Sequence, residues 1–312
     1  MNPIRNILVI VDPTAERHPA VDKAARLAQA FGAKLELFAC DTRASREARL
    51  ARRLRDGSED VFSVDLAPLL ERIAAPLRNC GLDVSTQTEC GDPLHEILID
   101  RTRRSTAELV VKDTHHHSLA RRTFLTNTDW SLIRHCPALL LLTKDVAWPE
   151  APTICAAIDP AHANAKPALL DKHILDCAAA FAQRLAGELH VLHAYLPLAI
   201  VAAATGGTPP MATTVSPQEL AEERQVRRKQ VEELIADYRV APERVHLEVG
   251  GPGDQLPSAA ERLGFDMVAM GAISRRGLKR VFIGSTAEDV LERLPCDALI
   301  VKPPSFADVL PL

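Results

Sequence analysis

The chain repeats itself, and this repeat constrains the fold more than any other feature of the sequence. Ile7-Leu-Val-Ile-Val-Asp-Pro13 reappears as Ile154-Cys-Ala-Ala-Ile-Asp-Pro160. Both are apolar runs that close on Asp-Pro, where proline cannot continue a hydrogen-bonded ladder, so each predicts a buried strand. A helical pattern follows each run, and then a glycine, Gly32 or Gly187, at the expected helix end before a second strand. The 312 residues are therefore predicted to hold two copies of one domain.

The two copies also match at their ends. Glu108–Asp113 lies over Asp266–Gly271, and Leu139–Lys144 lies over Asp297–Lys302 at the same offset and without a gap. Each half reads as strands alternating with helices, which predicts an α/β fold of two tandem, doubly wound, five-stranded parallel sheets. The predicted domains are residues 1–145 and 153–303, joined by a proline-containing linker.

Composition narrows the class of protein. Charged residues make up 25% of the chain and the net charge is −4, which argues against a nucleic-acid partner. The seven cysteines form no C-x-x-C pair, so we expect a reducing, cytoplasmic location. The longest apolar runs, Ala138–Leu142 and Leu196–Ala204, are too short to span a bilayer, so no membrane association is expected.

A glycine-punctuated loop in the second half carries the clearest chemical signal. It runs from Gly271 to Thr286, between an apolar strand and a helix predicted over Ala287–Arg293. Backbone N–H groups and the helix dipole favour an anion at such a helix start. Ser285 and Thr286 are predicted to cap the helix or to contact a phosphate. The alternative is a long loop with an N-cap serine, and the spacing matches neither a Walker A loop nor a dinucleotide fingerprint.

This loop resembles the signature of the universal stress protein family, Gly-x-x-Gly, nine residues, then Gly-Ser/Thr. Gly271, Gly284 and Ser285 fall on that signature, whereas Ser274 stands where the family has its second glycine. Strings such as Thr128-Asp-Trp130 are similar to those of the tandem E-type members. The resemblance covers nearly the whole chain. It implies ATP binding and a sheet with strand order 3-2-1-4-5.

The resemblance also implies where the ligand binds, because that strand order places a crevice between strands 1 and 4. The expected adenine-nucleotide site lies in the C-terminal domain only. Its predicted residues are Asp159, Ala194, Met270, Gly271, Ser274, Gly277, Gly284, Ser285 and Thr286. The alternative for Asp159 is a helix or turn cap. No catalytic or metal-ligating residue is predicted, and Mg²⁺ is expected only as the companion of a nucleotide.

The corresponding loop of the first half lacks every glycine. Asp113, His116 and Thr126 stand in the positions of Gly271, Ser274 and Gly284. A carboxylate at a phosphate position repels the ligand, so this half is predicted not to bind ATP in the family manner. Loop histidines exposed to solvent are favoured over a metal site for His115–His117. The basic run Arg275–Arg280 of the second half is either a lid over phosphates or a solvated loop.

Three functions remain open at this point. The leading hypothesis is a nucleotide-binding stress module that is not an enzyme, and the second is a slow ATP hydrolase. The third is a scaffold for a lipid-like apolar ligand, lined by Leu196–Ala204 and the following Gly206–Pro210. The favoured alternative for this segment is a packing loop. The apolar last strands, Ala138–Leu142 and Ala298–Val301, are predicted to pair within one chain as a pseudo-dimer. A homodimer of the whole chain is left open.

Overall fold

The computed structural model describes residues 3–56, 65–116, 123–160, 169–197, 216–271, 273–274 and 282–303. The chain divides into two compact units, with the boundary between Pro149 and Glu150. Each unit is described by itself below.

The N-terminal domain is built on five parallel strands. They are β1 (Asn6–Ile10), β2 (Lys34–Asp41), β3 (Val84–Cys90), β4 (Leu109–Asp113) and β7 (Leu139–Thr143), in the spatial order β3-β2-β1-β4-β7. The helices are α1 (Pro19–Phe31), α2 (Arg43–Asp56), α3 (Ala67–Asn79), α4 (Leu94–Arg104) and α5 (Asn127–His135). A short antiparallel pair, β5 (His115–His116) and β6 (Thr123–Phe124), follows β4.

The C-terminal domain repeats this architecture. Its parallel strands are β8 (Thr153–Ala157), β9 (Glu188–Tyr195), β10 (Val245–Val249), β11 (Met267–Gly271) and β14 (Asp297–Val301), in the order β10-β9-β8-β11-β14. The helices are α6 (Leu170–Arg184), α7 (Pro217–Ile235), α8 (Pro252–Leu263) and α9 (Ser285–Arg293), and the antiparallel pair is β12 (Ile273–Ser274) with β13 (Phe282–Ile283). Both sheets have the order 3-2-1-4-5, so the predicted fold class is confirmed.

Apolar patterning explains why these segments form this fold. The central strands are buried along most of their length, as in β4, where Leu109, Val110 and Val111 are fully buried. Parallel strands covered by helices on both faces need such continuous apolar runs. On α1 the buried Ala20, Ala24 and Leu27 recur at helical spacing and face the sheet. No helix in the described part of the chain is long and apolar enough to cross a membrane.

Helix α2 is not among the predicted elements. Its sequence contains few apolar residues, so helical periodicity is weak, although its alanines and arginines have high helix propensity. The structure ties this helix to the end of β2, because Arg49 forms an ion pair with the buried Asp41. The predicted pairing of the last strands stays a prediction, and most of the proposed apolar ligand segment, from residue 198 onward, lies outside the described residues.

The two aligned glycines, Gly32 and Gly187, have different structural reasons. Gly32 ends α1 with φ 67°, the left-handed conformation predicted for a C-terminal glycine. After α6 the left-handed residue is instead Ala186, with φ 51°. A Cβ added to Gly187 would lie 2.1 Å from the backbone oxygen of Pro152. The Gly187 N–H still donates to the carbonyl oxygen of Ala182 at the end of α6, at 2.8 Å, but close backbone approach, and not a left-handed φ, requires glycine at this position.

Two histidines on neighbouring strands form a half-buried pair in the C-terminal domain. The distance from Nδ1 of His190, in β9, to Nε2 of His246, in β10, is 2.9 Å. The ring of Phe265 lies edge-on, 5.5 Å from that of His190. Burial lowers the pKa of both histidines, and each neutral ring is favoured in the fold.

Acidification is therefore expected to destabilise this domain. The unfolded chain binds more protons once the pH falls through 6.5, the ordinary histidine pKa, so stability is present above that pH and is lost below it. Urea unfolding of the full chain at about pH 7 and about pH 5 measures the loss. His190→Phe should reduce the pH dependence of the free energy of unfolding of the C-terminal domain. His95→Gln, in the other domain, should leave that pH dependence unchanged. Equal pH dependence in the natural chain and in His190→Phe would contradict this explanation.

Candidate ligand-binding site

The carboxyl ends of three strands bring the predicted site residues of the C-terminal domain together. In the sheet, Ala156 of β8 pairs with Ala269 of β11, and Ala157 pairs with Leu192 of β9. Asp159, Ala194 and Gly271 each come two residues after one of these paired positions. They therefore lie close together at the carboxyl end of the sheet, where the connections that follow neighbouring strands run to opposite faces. This is the usual place for a ligand in an open α/β sheet.

Asp159 is half-exposed at this end of the sheet and lies beside a buried histidine. The distance from its Oδ1 to Nδ1 of His193 is 3.8 Å. His193 is 1% exposed, and its Nδ1 lies 3.1 Å from the carbonyl oxygen of Ile158, which favours a proton on that nitrogen. The backbone N–H of Asp159 donates to the carboxylate of Asp171 at 3.2 Å. The polar end of β8 is thus positioned by groups from β9 and α6.

Gly271 lies where β11 meets the start of α6. A Cβ added to it would come within 2.8 Å of Cδ2 of Leu170. Met270, just before it, is 5% exposed and belongs to the core. Glycine therefore allows α6 to begin close to the end of β11, and no charged side chain projects from this position.

No side chain among the described residues caps the N-terminus of α9. Its N-cap residue is Gly284, and Ser285 is the first helical residue, so the prediction that a serine caps this helix is wrong. Ser285 and Thr286 are exposed in the first turn. A Cβ added to Gly284 would meet no atom within 4 Å in the described part of the chain. Because helix dipoles favour anions at such ends, this terminus fits a phosphate group.

Part of the glycine-punctuated loop is described only through its backbone. Ser274 pairs with Phe282 across the antiparallel strands β12 and β13. Gly277 and the basic run Arg275–Arg280 lie outside the described residues. Within the described residues, no group of three or more His, Cys, Asp and Glu side chains could hold a metal ion. His117 and the side chains of His115 and His116 lie outside that description.

The equivalent helix of the N-terminal domain is capped by Thr126, in a capping box that includes a buried carboxylate. Asp129 accepts hydrogen bonds from the backbone N–H of Thr126 at 2.7 Å and from its hydroxyl at 2.8 Å. Thr126 Oγ1 in turn accepts from the Asp129 N–H, which completes a capping box. Asp129 is fully buried and forms an ion pair with Lys112 at 2.8 Å. A negative charge therefore already lies at the start of α5.

A second carboxylate fills the start of α1 in the same domain. Asp113 Oδ1 accepts from the backbone N–H of Ala20 at 2.8 Å and from Thr143 Oγ1 at 2.7 Å. Ala20 provides the first N–H of α1, because Pro19 has none. Burial raises the pKa of Asp113, and these two hydrogen bonds oppose that shift. The carboxylate predicted to repel phosphate in this half thus occupies an anion position itself.

Aligning the two halves shows how the local chemistry differs. The positions of Lys112, Asp113 and Asp129 are occupied in the C-terminal domain by Met270, Gly271 and Ala287. Two carboxylates and an ammonium group are replaced by two buried apolar side chains and a glycine. The same fold therefore presents filled helix N-termini in one domain and an uncapped α9 in the other.

Comparison with known proteins establishes the family. Residues 3–144 and 154–302 match the universal stress protein family. The chain belongs to that family. It is 27% identical to Universal stress protein E of Escherichia coli strain K12 and of Salmonella typhi, over 97% of this chain and 95% of each relative.

Solved structures show the same fold. A protein described as functionally unknown, from Pseudomonas aeruginosa PAO1, is 27% identical with a TM-score of 0.76, over 98% of this chain and 95% of that one. A universal stress protein from Archaeoglobus fulgidus is 14% identical with a TM-score of 0.64, over 95% of this chain and 98% of that one, and shows the fold alone.

Two features of this universal stress protein were not predicted from its sequence. The capping box at α5 had a readable signal, since Thr126 followed three residues later by Asp129 is a capping pattern. The proximity of His193 to Asp159 had a weaker signal in the sequence. His193 interrupts an apolar strand, but only the register of β8 against β9 places it beside the carboxylate.

Proposed function

We propose that this chain is a nucleotide-binding module whose C-terminal domain binds an ATP-type nucleotide and whose N-terminal domain does not. Binding, rather than turnover, is the proposed activity, and the output is a change of conformation or of partner binding. One observation carries the proposal. In the described part of the chain, no side chain caps the N-terminus of α9, whereas the capping box of Thr126 and Asp129 occupies the equivalent terminus of α5.

The residues at the carboxyl ends of the strands in the C-terminal domain fit the parts of such a ligand. The first turn of α9, with Gly284, Ser285 and Thr286, offers backbone N–H groups and hydroxyls to a phosphate chain. Asp159 offers a carboxylate to ribose hydroxyls or an amino group, and Ala194 would flank the base. Gly271 and Ser274 contribute backbone at the end of β11 and in β12, and Gly277 belongs to the same proposed loop. When bound, the nucleotide would bring its own Mg²⁺.

A carboxylate introduced at the start of α9 tests the proposal. Ser285→Asp should weaken ATP binding by about tenfold to a hundredfold, because its charge repels the phosphates at short range. The same charge favours the helix dipole, and Ser285 is exposed, so the domain should remain folded. Isothermal titration calorimetry of the full chain with ATP measures the loss.

The chain supplies its own matched control. Asn127 is the first residue of α5, is exposed, and aligns with Ser285. Asn127→Asp makes the same change of charge at the same position of the other domain, and ATP affinity should stay the same. Equal affinity of Ser285→Asp and the natural chain, or an equal loss in Asn127→Asp, would contradict the proposed site.

Two further measurements separate the competing functions. Native mass spectrometry of the purified chain shows whether a nucleotide, an apolar molecule or neither is carried through purification. A nucleotide-release assay tests turnover, and hydrolysis above background that Ser285→Asp abolishes would replace the proposal of a pure binding module. A co-purified apolar molecule, with no nucleotide binding in calorimetry, would favour the scaffold hypothesis.

A further inference from the structure

The N-terminal domain contains a cleft of its own at the carboxyl ends of β1, β2 and β4. Its volume is about 490 Å³, within the roughly 300–1,000 Å³ typical of small-molecule sites. Much of its wall is apolar, formed by Ile10 and Val11 from the sheet and by Ala44, Ala48 and Leu94 from the surrounding helices. An organic body of moderate size therefore fits the cleft.

Charge decides what kind of molecule this would be. Among the residues that the structure describes, the lining carries three carboxylates, Asp12, Asp113 and Asp145, against two cations, Arg17 and Lys112. Both cations already contact carboxylates. Arg17 forms an ion pair with Asp145 at 2.9 Å, and Lys112 pairs with the fully buried Asp129. The described lining therefore carries a net negative charge at neutral pH.

Asp113 is the carboxylate best placed to interact with the charge of a ligand. Its hydrogen-bond donors, the Ala20 N–H and the Thr143 hydroxyl, are both neutral. The charge of Lys112 also acts on Asp113, but Lys112 forms its ion pair with Asp129. His18 lies nearby, and burial lowers its pKa, which favours the neutral ring. An anion would meet this carboxylate and would find the starts of α1 and α5 already filled by Asp113 and Asp129.

We propose that the cleft of the N-terminal domain binds a small organic cation, with Asp113 as the group that selects the sign of charge. Apolar residues contact the body of the ligand, and the carboxylates at the strand ends face its ammonium group. This site does not depend on nucleotide binding by the C-terminal domain. It gives the domain that lacks a phosphate loop a ligand chemistry of its own.

Two probes with the same ring and opposite charge test the proposal. Tryptamine carries an ammonium group at neutral pH and indole-3-propionate carries a carboxylate. Both are titrated into the full chain and followed by methyl NMR. The methyl groups of Ala44, Ala48 and Leu94 report on the cleft, and that of Ala194 reports on the other domain. Tryptamine should shift the cleft reporters with a dissociation constant at least about tenfold below that of indole-3-propionate.

The variant Asp113→Asn isolates the role of the charge. Asparagine keeps the size of the side chain and an oxygen that accepts from Ala20 and Thr143, so the start of α1 should stay capped. The preference for tryptamine should fall to about threefold or less. Asp254→Asn removes the same charge from an exposed position in the C-terminal domain, where the side chain is 73% accessible, and should leave the preference unchanged.

Three results would overturn the proposal. The first is binding of indole-3-propionate as tight as that of tryptamine. The second is the absence of shifts at the cleft reporters with either probe at millimolar concentration. The third is a loss of preference in Asp254→Asn as large as that in Asp113→Asn, because a general effect of net charge would then explain the discrimination.

Discussion

Replacing Asp129 with alanine is expected to lower the free energy of unfolding of the N-terminal domain by about 3–5 kcal/mol. Lys112 is 10% exposed and Asp129 is fully buried, so the variant leaves an ammonium group in the interior without its carboxylate partner. The hydrogen bonds from Thr126 to Asp129 are lost as well, which adds about 1 kcal/mol, although the Thr126 hydroxyl still caps α5. Few single substitutions in this domain should cost more.

The second domain suggests the rescue. Met270 and Ala287 occupy the aligned positions there, so Lys112→Met combined with Asp129→Ala copies a pair that the same fold already uses. Replacing a buried ion pair by apolar groups of similar volume is often neutral or stabilising. The double variant should therefore recover most of the stability and remain about 1 kcal/mol below the natural chain, because the hydrogen bonds from Thr126 to the carboxylate are missing.

Tryptophan fluorescence measures this prediction in one domain alone. Both tryptophans, Trp130 and Trp148, belong to the N-terminal half, so their emission during urea unfolding follows that domain. Asp129→Asn is a useful control, because it keeps an oxygen acceptor for the cap and removes only the charge. The free energy of unfolding of Asp129→Asn should fall by most of the amount that Asp129→Ala loses. A double variant as unstable as Asp129→Ala would show that the charge of Lys112 is not the cause.

Replacing Gly187 with alanine is the second change with a large expected effect. The new Cβ would lie 2.1 Å from the carbonyl oxygen of Pro152, and that oxygen also accepts a hydrogen bond from the Glu188 N–H at 3.0 Å. Backbone on both sides must move, so β8 and β9 separate at their start. We expect a loss of about 3 kcal/mol in the free energy of unfolding of the C-terminal domain, at the upper end for overpacking.

Gly32→Ala provides the matched comparison. Gly32 aligns with Gly187, but an added Cβ would meet no atom within 4 Å in the described part of the chain. Only its φ of 67° penalises alanine, at about 1–2 kcal/mol. Hydrogen exchange of backbone amides in β2 and in β9 measures the two losses separately. If Gly32→Ala and Gly187→Ala reduced amide protection equally in their own strands, the backbone near Pro152 would have moved away from the new Cβ without an energetic cost.

Local patterns in the sequence predict the architecture correctly. The duplicated runs that end in Asp12-Pro13 and Asp159-Pro160 lead to two domains with the same strand order, and the segment from Leu139 to Lys144 contains β7. The start of α9 also follows from sequence, although its cap residue is Gly284 rather than a serine. In each case, the signal lies within a few neighbouring residues, where propensity, apolar spacing and proline act directly.

Contacts between distant residues could not be predicted in this way. Asp113 caps α1 through Ala20, which lies 93 positions earlier, and His193 approaches Ile158 across 35 positions. In the alignment of the two halves, Asp113 is only a residue that replaces a glycine. In the structure, its carboxylate occupies a helix N-terminus and lines the cleft of the N-terminal domain.

The sequence by itself therefore determined the duplication, the α/β fold and the glycine loop that only the second copy retains, because these depend on neighbours along the chain. Tertiary structure alone decided which helix ends are capped, why Gly187 must be glycine, and which side chains surround Asp159. These properties depend on strand register and on the packing of helices against the sheet. Such packing brings together charges and backbone atoms from distant parts of the chain, and the energies of those contacts decide where an anion can bind.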